Sequence, residues 1–231
     1  IKVIYYGHDL HFLRLGREYE LTGDISIKRE ADYWRAIELS MMRKAEVSYY
    51  PSYVEIDAIH QIDPEIPAKA ITAYVYDEFL TDIREDFEKR EGLLFVGGFA
   101  HPPNADAVLW FAKEIFPEIR KKLPDVNFYV VGSKVTDEIK ALEQPGNGII
   151  IKGFVSEEEL ARLYSVCRVV VVPLRYGAGV KGKVVEALYN GAPIVTTSTG
   201  AEGIPEVETV LETENDPQAF AEKTAALYSD P

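Results

Sequence analysis

The sequence of 231 residues has one cysteine, two methionines and no long uninterrupted apolar run. A disulfide needs two thiols, so Cys167 cannot form an intrachain bridge, and its apolar neighbours favour a core position in a reducing compartment. No stretch approaches the ~20 apolar residues of a membrane span, and the first ten residues lack the regions of a signal peptide. We expect a soluble, cytoplasmic chain that works in solution or at the periphery of a membrane. Because it opens at Ile1 and stops at Pro231, we also expect a piece of a longer protein.

Basic residues are fewer than acidic ones: 25 Lys and Arg stand against 38 Asp and Glu, which gives a net charge of −13. A nucleic-acid surface needs a basic stripe to displace counterions, so the charge balance predicts no nucleic-acid partner. Hydrophobic residues make up 47% of the chain and charged residues 27%, which excludes a disordered or fibrous class.

From residue 92 onward, short apolar runs alternate with amphipathic stretches, a pattern typical of buried parallel strands joined by helices. The predicted strands are 93–97, 127–132, 148–153, 168–173, 193–197 and 207–212, and the predicted helices are 104–116, 136–143, 157–167 and 180–190. Ser156 and Glu159 form a capping-box signal, and Gly191 is a helix stop. Because such crossovers are right-handed, we predict a Rossmann-like, doubly wound α/β sheet with its binding crevice at the carboxyl ends of the strands.

The first 90 residues are less regular. They suggest strands at 3–7, 47–50 and 69–75, a helix at 30–45, and a second helix that Ser52 and Glu55 cap. Three strands are too few for a complete Rossmann lobe, and the charged stretch before Gly92 is the candidate linker. We therefore predict a partial α/β lobe at 1–90 and a complete Rossmann-like domain at 91–231.

The segment after the strand at 168–173 carries the strongest chemical signal. Its glycine-rich turn comprises Gly177, Ala178, Gly179 and Val180. A backbone rich in glycine at the positive end of a helix is an anion site, because N–H groups can approach oxygens that a side chain would block. Arg175, Lys181 and Lys183 strengthen the prediction of a phosphate or diphosphate.

Glu186 follows Lys183 by three residues and shares its helix face, so a diphosphate on the lysine would bring an attached ribose near this carboxylate. A carboxylate can accept hydrogen bonds from both ribose hydroxyls. The alternative is a solvated ion pair between Lys183 and Glu186, one helical turn apart.

The run GVKGKVVEALYNGAPIVTTSTGAEGI at 179–204 resembles the donor-binding motif of retaining glycosyltransferases of family four, which have the GT-B fold of two facing Rossmann lobes. LLFVGGFAHPPNADAVLWF, NFYVVGS, IIIKGFVSEEELARLY and RVVVVPL look like the same family's successive elements in the same order. The resemblance covers about 91–231 well and the first 90 residues loosely.

The resemblance implies roles for individual residues. Glu186 would bind the ribose of a nucleotide diphosphate-sugar, and Gly179, Val180 and Lys181 would present N–H groups to sugar and phosphate. Gly97 and Gly98 would face the diphosphate. Phe154 and Val155 would contact the base, with Gly132 and Ser133 beside them. The alternative for these last four residues is structural: Phe154 and Val155 would form an ordinary aromatic plug, and Gly132 and Ser133 an ordinary strand end.

Two positions depart from the family pattern. Ala178 stands where the family usually has a second glutamate, which leaves the sugar contacts and the sugar's identity open. The loop GGFAHPPN lacks the Arg and Lys that the family often has there, so we expect Arg175, Lys181 or Lys183 to supply the cation.

The segment YYGHDLHFLR near the start resembles an element of the family's other lobe, in which a histidine contacts the donor sugar. His8 matches that histidine and is the catalytic candidate; the alternative is an ordinary loop histidine. Asp9, Arg14 and Arg17 are further polar candidates. His11 could pair with a second histidine on a metal, but two histidines without a third ligand do not make a site, so we predict no metal.

The resemblance implies transfer of a sugar, with retention of configuration, from a nucleotide diphosphate-sugar to a glycan, lipid or other hydroxyl acceptor. It implies no cofactor beyond the nucleotide-sugar substrate. Two alternatives stay open: a non-catalytic nucleotide-sugar-binding or scaffold module, and a GT-B enzyme of different chemistry, such as an epimerase or a phosphorylase.

Overall fold

A computed structural model describes residues 2–77, 87–211 and 213–229. The chain forms two compact units. The first comprises Ile1–Val75, Tyr176–Lys181 and Ala201–Glu206, and the second comprises Tyr76–Arg175, Gly182–Gly200 and Val207–Pro231. Most of the predicted linker, at 78–86, lies outside the described residues.

The first unit is a small parallel sheet with three helices. Its elements are β1 (Ile4–Tyr6), α1 (His11–Thr22), α2 (Ile25–Met42), β2 (Val47–Tyr50), α3 (Tyr53–Ile62) and β3 (Ala68–Ala70). The strand order is β1-β2-β3, with Ile4 opposite Val47 and Ser48 opposite Ala68. The core centres on Leu10, Met42, Tyr50 and Ile59.

The strands predicted at 3–7 and 47–50 are confirmed, whereas the third is shorter than predicted. β3 ends at Ala70, because the apolar residues beyond it, including Ile71 and Val75, are exposed and add no buried surface. The capping box at α3 is confirmed: the Ser52 side chain accepts from the amide of Val54, and the Glu55 carboxylate accepts from the amide of Ser52. Both ends of this signal lie within four residues, which is why the sequence reveals it.

The second unit alternates strands and helices. Its elements are β4 (Leu93–Val96), α4 (Pro102–Trp110), α5 (Phe116–Lys122), β5 (Phe128–Val131), α6 (Asp137–Lys140), β6 (Ile149–Gly153), α7 (Glu157–Val166), β7 (Val169–Val172), α8 (Gly182–Tyr189), β8 (Ile194–Thr196), α9 (Ser198–Ala201) and α10 (Pro217–Ser229). A π-helical turn, Phe111–Ile115, joins α4 to α5.

The sheet of the second unit is parallel, in the order β6-β5-β4-β7-β8. The chain therefore builds outward from β4 through β5 to β6, then returns to the other side of β4 for β7 and β8. This reversal confirms the predicted doubly wound α/β sheet and puts its switch point between β4 and β7, where ligands of such sheets bind. Every residue of β7 is buried, as expected of a strand covered on both faces.

The sixth predicted strand, at 207–212, is wrong over its described residues, 207–211, and residue 212 lies outside them. Val207–Thr209 forms a short 3₁₀ helix, and the amides of Val210 and Leu211 donate to the Val207 carbonyl at 3.1 and 2.8 Å instead of to a neighbouring strand. The apolar residues stand at positions 207, 210 and 211, which is helical spacing. Val210 is also 64% exposed, so burial does not favour a strand here.

The helix ends follow the predicted signals in part. The Ser156 side chain accepts from the amide of Glu159 at 3.3 Å, but the Glu159 carboxylate pairs with Arg162 instead of returning to Ser156. Gly191 adopts a positive φ of 58° just after α8, as a helix stop requires. Over the residues that the structure describes, no helix combines the length and the apolar character needed to cross a membrane.

Candidate functional site

The carboxyl ends of β4 and β5 bring four of the predicted site residues together. The loop after β4 contains Gly97 and Gly98, and the loop after β5 contains Gly132 and Ser133. The amide of Phe99 donates to the Ser133 carbonyl at 2.8 Å. A Cβ atom at Gly132 would lie 1.9 Å from the Gly97 carbonyl oxygen, so only glycine permits this approach.

Lys183, in the first turn of α8, joins this cluster. Its Nζ donates to Oδ1 of Asn104 at 2.6 Å and lies 5.5 Å from the centre of the Phe95 ring. The other end of the Asn104 amide donates through Nδ2 to the Gly98 carbonyl at 2.8 Å. The structure thus places Lys183 beside the glycine loop that the resemblance assigns to the diphosphate.

Arg175, another of the three expected cations, has an acidic partner in the second unit. Its Nε donates to Oδ2 of Asp106 at 2.9 Å, its Nη2 donates to Oδ1, and its guanidinium lies 5.5 Å from the centre of the Trp110 ring. Both contacts direct the side chain to α4. Asp106 therefore balances part of the charge of Arg175.

Glu186 lies one turn after Lys183 and is half-buried. Its Oε2 accepts a hydrogen bond from the hydroxyl of the buried Tyr164 at 3.2 Å. Burial and the neighbouring carboxylate both raise the pKa of Tyr164, so the hydroxyl stays protonated and donates. Lys183 and Glu186 therefore bond different partners, and the carboxylate has a second oxygen to offer a ligand.

Phe154 and Val155 follow β6, at the same end of the sheet. Phe154 is 82% exposed, so its ring does not fill the core as an aromatic plug would. An exposed aromatic face at this edge can stack on a flat ring.

In the first unit, Arg17 holds part of the glycine-rich turn. Its Nη1 donates to the Gly177 carbonyl at 2.6 Å, and its guanidinium makes a bidentate pair with Glu202 at 2.8 and 2.7 Å. Asp9 pairs with Arg14 at 3.0 Å in the same unit.

A buried carboxylate on α3 also contacts this turn. Oε1 of Glu55 accepts from the amide of Gly179 at 2.8 Å, while its Oε2 accepts from the amide and the hydroxyl of Ser52 at 3.1 and 2.5 Å. The N–H of Gly179, expected to face sugar or phosphate, is therefore bonded within the protein. Gly179 has a φ of 75°, and a Cβ atom there would lie 2.6 Å from the carbonyl oxygen of His8, so the unit does bring these two predicted residues together.

Lys181 is 8% exposed, and its Nζ donates to the Gly179 carbonyl. Burial lowers the pKa of Lys181 to about 8, although Glu202 and Glu55 act in the opposite direction. Ala178 is also buried. The side chain of Lys181 thus supports the turn, and the nearby acids offset only part of the cost of burying its charge.

His11 has a structural position. Its Nδ1 lies 2.9 Å from Oε1 of Glu38, and its ring stacks on Trp34 with the centroids 4.5 Å apart. The buried Glu38 also accepts from the amides of His11 and Phe12, which caps α1. Within the described ranges, no three His, Cys, Asp or Glu residues are grouped so that they could hold a metal.

Sequence reasoning missed four residues that contact the predicted site: Asn104, Tyr164, Glu202 and, beyond its role as a cap, Glu55. Asn104 and Tyr164 lie on predicted helices among apolar neighbours, where buried polar atoms need partners. That is a signal for an internal contact, but it does not identify the partner.

Known proteins resemble this chain both in sequence and in fold. A family model described as "Glycosyl transferases group 1" matches residues 90–230. Over 116 residues, the chain is 32% identical to an "Uncharacterized 44.6 kDa protein in cps region" of Klebsiella pneumoniae, and the match covers 48% of this chain and 30% of the relative.

Three solved structures illustrate the similarity of fold. A mutant of S. aureus TarM in complex with Fondaparinux, alpha-GlcNAc-glycerol and UDP matches with a TM-score of 0.70 at 17% identity, covering 99% of this chain and 44% of that one. Sucrose-phosphate synthase of Thermosynechococcus elongatus gives 0.72 at 20% identity, with 99% and 59% covered. Anabaena HepE in complex with UDP and glucose gives 0.65 at 17%, with 99% and 62% covered. The chain spans less than two thirds of each of these proteins.

Proposed function

Because this chain belongs to the group 1 glycosyltransferases and has an α/β fold of the GT-B type, we propose that it takes part in moving a sugar from a nucleotide diphosphate-sugar to a hydroxyl acceptor. We include in the proposal retention of configuration, membership of family four, and a metal-independent reaction without a cofactor. The acceptor is a glycan, a lipid or another hydroxyl compound, reached in the cytoplasm or at the periphery of a membrane. Residues 91–231 would bind the donor, and residues 1–90 would be part of the acceptor-side lobe.

The observation that carries the proposal is the position of Lys183. An ammonium group in the first turn of α8, beside the Gly97 and Gly98 loop, combines a full charge with the positive end of a helix dipole. A diphosphate is the anion that suits two such features together. The TarM and HepE structures both contain UDP, which agrees with a nucleoside diphosphate as the ligand.

A diphosphate at Lys183 sets where the ribose and the base of the nucleotide would lie. In our proposal, Glu186 accepts from the ribose hydroxyls through the oxygen that Tyr164 does not hold. Phe154 and Val155 meet the base near Ser133. The roles of His8 and of the Gly177–Lys181 turn rest on the family resemblance, and Ala178 leaves the choice of sugar open.

The reaction needs position and charge more than covalent chemistry. The bond between the anomeric carbon and the β-phosphate oxygen breaks, a bond to the acceptor oxygen forms on the same face, and the acceptor's proton passes to the departing diphosphate. Lys183 and the first amides of α8 would stabilise the negative charge that develops on the leaving group, which serves the purpose of a metal ion.

Titration calorimetry with UDP, GDP and ADP tests the donor site in the chain as it stands. We expect at least one to bind, and Lys183→Ala to weaken that binding by about ten- to a hundredfold, since a charged hydrogen bond contributes roughly 1.5–3 kcal/mol. Lys122→Ala, at the end of α5, is the matched control and should bind as the wild type does. Binding of none of the three, or equal binding by Lys183→Ala, would contradict the proposal.

A non-catalytic nucleotide-sugar-binding module is the second candidate, favoured by Ala178 and by the bonding of the Gly179 amide to Glu55. Incubation of the chain with a labelled form of the nucleotide-sugar that binds distinguishes the two. Slow release of sugar to water or to an added acceptor supports a transferase, whereas a changed sugar on an intact donor indicates an epimerase. Tight binding with neither product supports the module.

A further inference from the structure

We infer that Asn104 is a positioning residue for the diphosphate subsite, because one buried amide holds Lys183 with its oxygen and the Gly98 loop with its nitrogen. This inference rests on the proposed function and adds to it a residue to which the family resemblance assigned no role. Asn104 does not need to touch the ligand for this role.

The orientation of the amide follows from the chemistry of its partners. An ammonium group can only donate and a carbonyl oxygen can only accept, so Oδ1 must face Lys183 and Nδ2 must face Gly98. The residue is 5% exposed, which makes both bonds costly to lose. Asparagine is thus matched to the position, whereas aspartate would place a carboxylate against the Gly98 carbonyl.

Packing also confines the amide. A Cβ atom at Gly97 would lie 2.9 to 3.1 Å from the amide atoms of Asn104, so the absence of a side chain at Gly97 makes room for them. The backbone of Asn104 is itself in the first turn of α4, and its amide donates to the His101 carbonyl at 3.0 Å. Three elements, namely α4, the loop after β4 and α8, are therefore tied together at one side chain.

The consequence for binding is preorganisation. A lysine side chain has four rotatable bonds, and fixing it on binding costs entropy. Because Asn104 already holds Lys183 beside Gly98, a phosphate that arrives there finds the ammonium in place. The effect should be confined to phosphate groups, since the bonds of Asn104 that we describe involve no residue proposed to bind ribose or base.

The test uses Asn104→Leu, which keeps the size of the side chain and removes both hydrogen bonds, and Asn104→Ala in case the first variant does not fold. Calorimetry on the full chain measures the affinity for the nucleoside diphosphate that the wild type binds, and for the matching nucleoside. We expect about tenfold weaker binding of the diphosphate and less than a twofold change for the nucleoside. Asn147→Leu, which removes the amide that bonds the Leu142 carbonyl, is the control and should leave the ratio of the two affinities unchanged.

A double-mutant cycle separates positioning from general damage. On a Lys183→Ala background, Asn104→Leu should weaken diphosphate binding by less than twofold, because the group it positions is gone. Equal loss for diphosphate and nucleoside, or an unchanged diphosphate affinity in both Asn104 variants, would overturn the inference. A wild-type chain that binds no nucleoside diphosphate would instead overturn the proposed function.

Discussion

Two lysines that stand two positions apart, Lys181 and Lys183, have different surroundings. Lys181 is buried in the first unit with Glu202 and Glu55 among the charges near it, whereas Lys183 belongs to the second unit and bonds Asn104. In the sequence they look alike, and both are candidates for the same cation. Our proposal assigns the role to Lys183, because its ammonium bonds Asn104 beside the loop of Gly97 and Gly98, whereas that of Lys181 is buried against the Gly179 carbonyl.

The buried Lys181 leads to a prediction on pH. Its pKa is about 8 in the folded chain and 10.5 in the reference state, so below pH 8 the fold carries the cost of a buried charge. As pH rises from 8 to 10.5 the unfolded chain binds more protons than the folded one, so the contribution of Lys181 to the free energy of unfolding rises, by about 3 kcal/mol in all.

Urea denaturation of the wild type and of Lys181→Met at several pH values measures this contribution. Every other titratable group is the same in the two chains, so the difference between them isolates Lys181. We expect the wild type to gain stability relative to Lys181→Met between pH 8 and pH 10.5. A constant difference in stability across that range would show that burial does not lower the pKa of Lys181.

At the scale of elements, the loops after β4 and β5 interlock through backbone contacts. Gly132 is the critical position, since a Cβ atom there would lie 1.9 Å from the Gly97 carbonyl oxygen. Both groups belong to the backbone, so no side chain can move aside to relieve the overlap. We predict that Gly132→Ala lowers the free energy of unfolding by about 3 kcal/mol or more, the upper end of what overpacking costs, and abolishes binding of nucleoside diphosphates.

Gly146→Ala provides the comparison for this change. Gly146 has a φ of 77°, but a Cβ atom added there would meet nothing within 4 Å. Alanine at this position therefore introduces backbone strain of roughly 1–2 kcal/mol without a clash. Denaturation and calorimetry on both variants separate the two effects. If Gly132→Ala loses no more stability than Gly146→Ala and still binds ligand, the interlocked loops are not required.

At the scale of the whole molecule, the first unit is assembled from three separate stretches of chain. Arg17 connects them, since it bonds Gly177 in the second stretch and Glu202 in the third. The boundary near residue 90 is the one that sequence composition predicts, and it does not anticipate that two later segments pack with the first unit.

The predicted lack of a nucleic-acid partner, drawn from the net charge of −13, stays a prediction.

Hydrogen exchange tests this assembly. Arg17→Ala removes charge-assisted bonds of roughly 1.5–3 kcal/mol, so amides at 176–181 and 201–206 should exchange on the order of ten times faster. The strands β4 to β8 should keep their protection, because they belong to the second unit. Arg43→Ala, which breaks a more exposed pair with Asp63, should change neither segment. Equal exchange in Arg17→Ala and wild type would mean that other contacts hold the segments.

The sequence by itself determined the elements whose signals are local. Buried parallel strands are near-continuous apolar runs, so five strands of the second unit were predicted at nearly their true bounds, and the capping box of α3 was found within four residues. The glycine-rich turn and the family resemblance are local as well. The segment at 207–212 was missed because its short apolar pattern fits a helical turn as well as a strand, and only its exposure decides between them.

Only the tertiary structure decided which side chains meet. The bonds of Lys183 to Asn104, of Tyr164 to Glu186 and of Gly179 to Glu55 join residues that are 79, 22 and 124 positions apart in the chain. Such pairs depend on how helices pack on a sheet, which no local pattern of residue types encodes. The sequence therefore predicted candidate site residues along the chain, and the packing of α3, α4 and α7 decided which partners those residues bond.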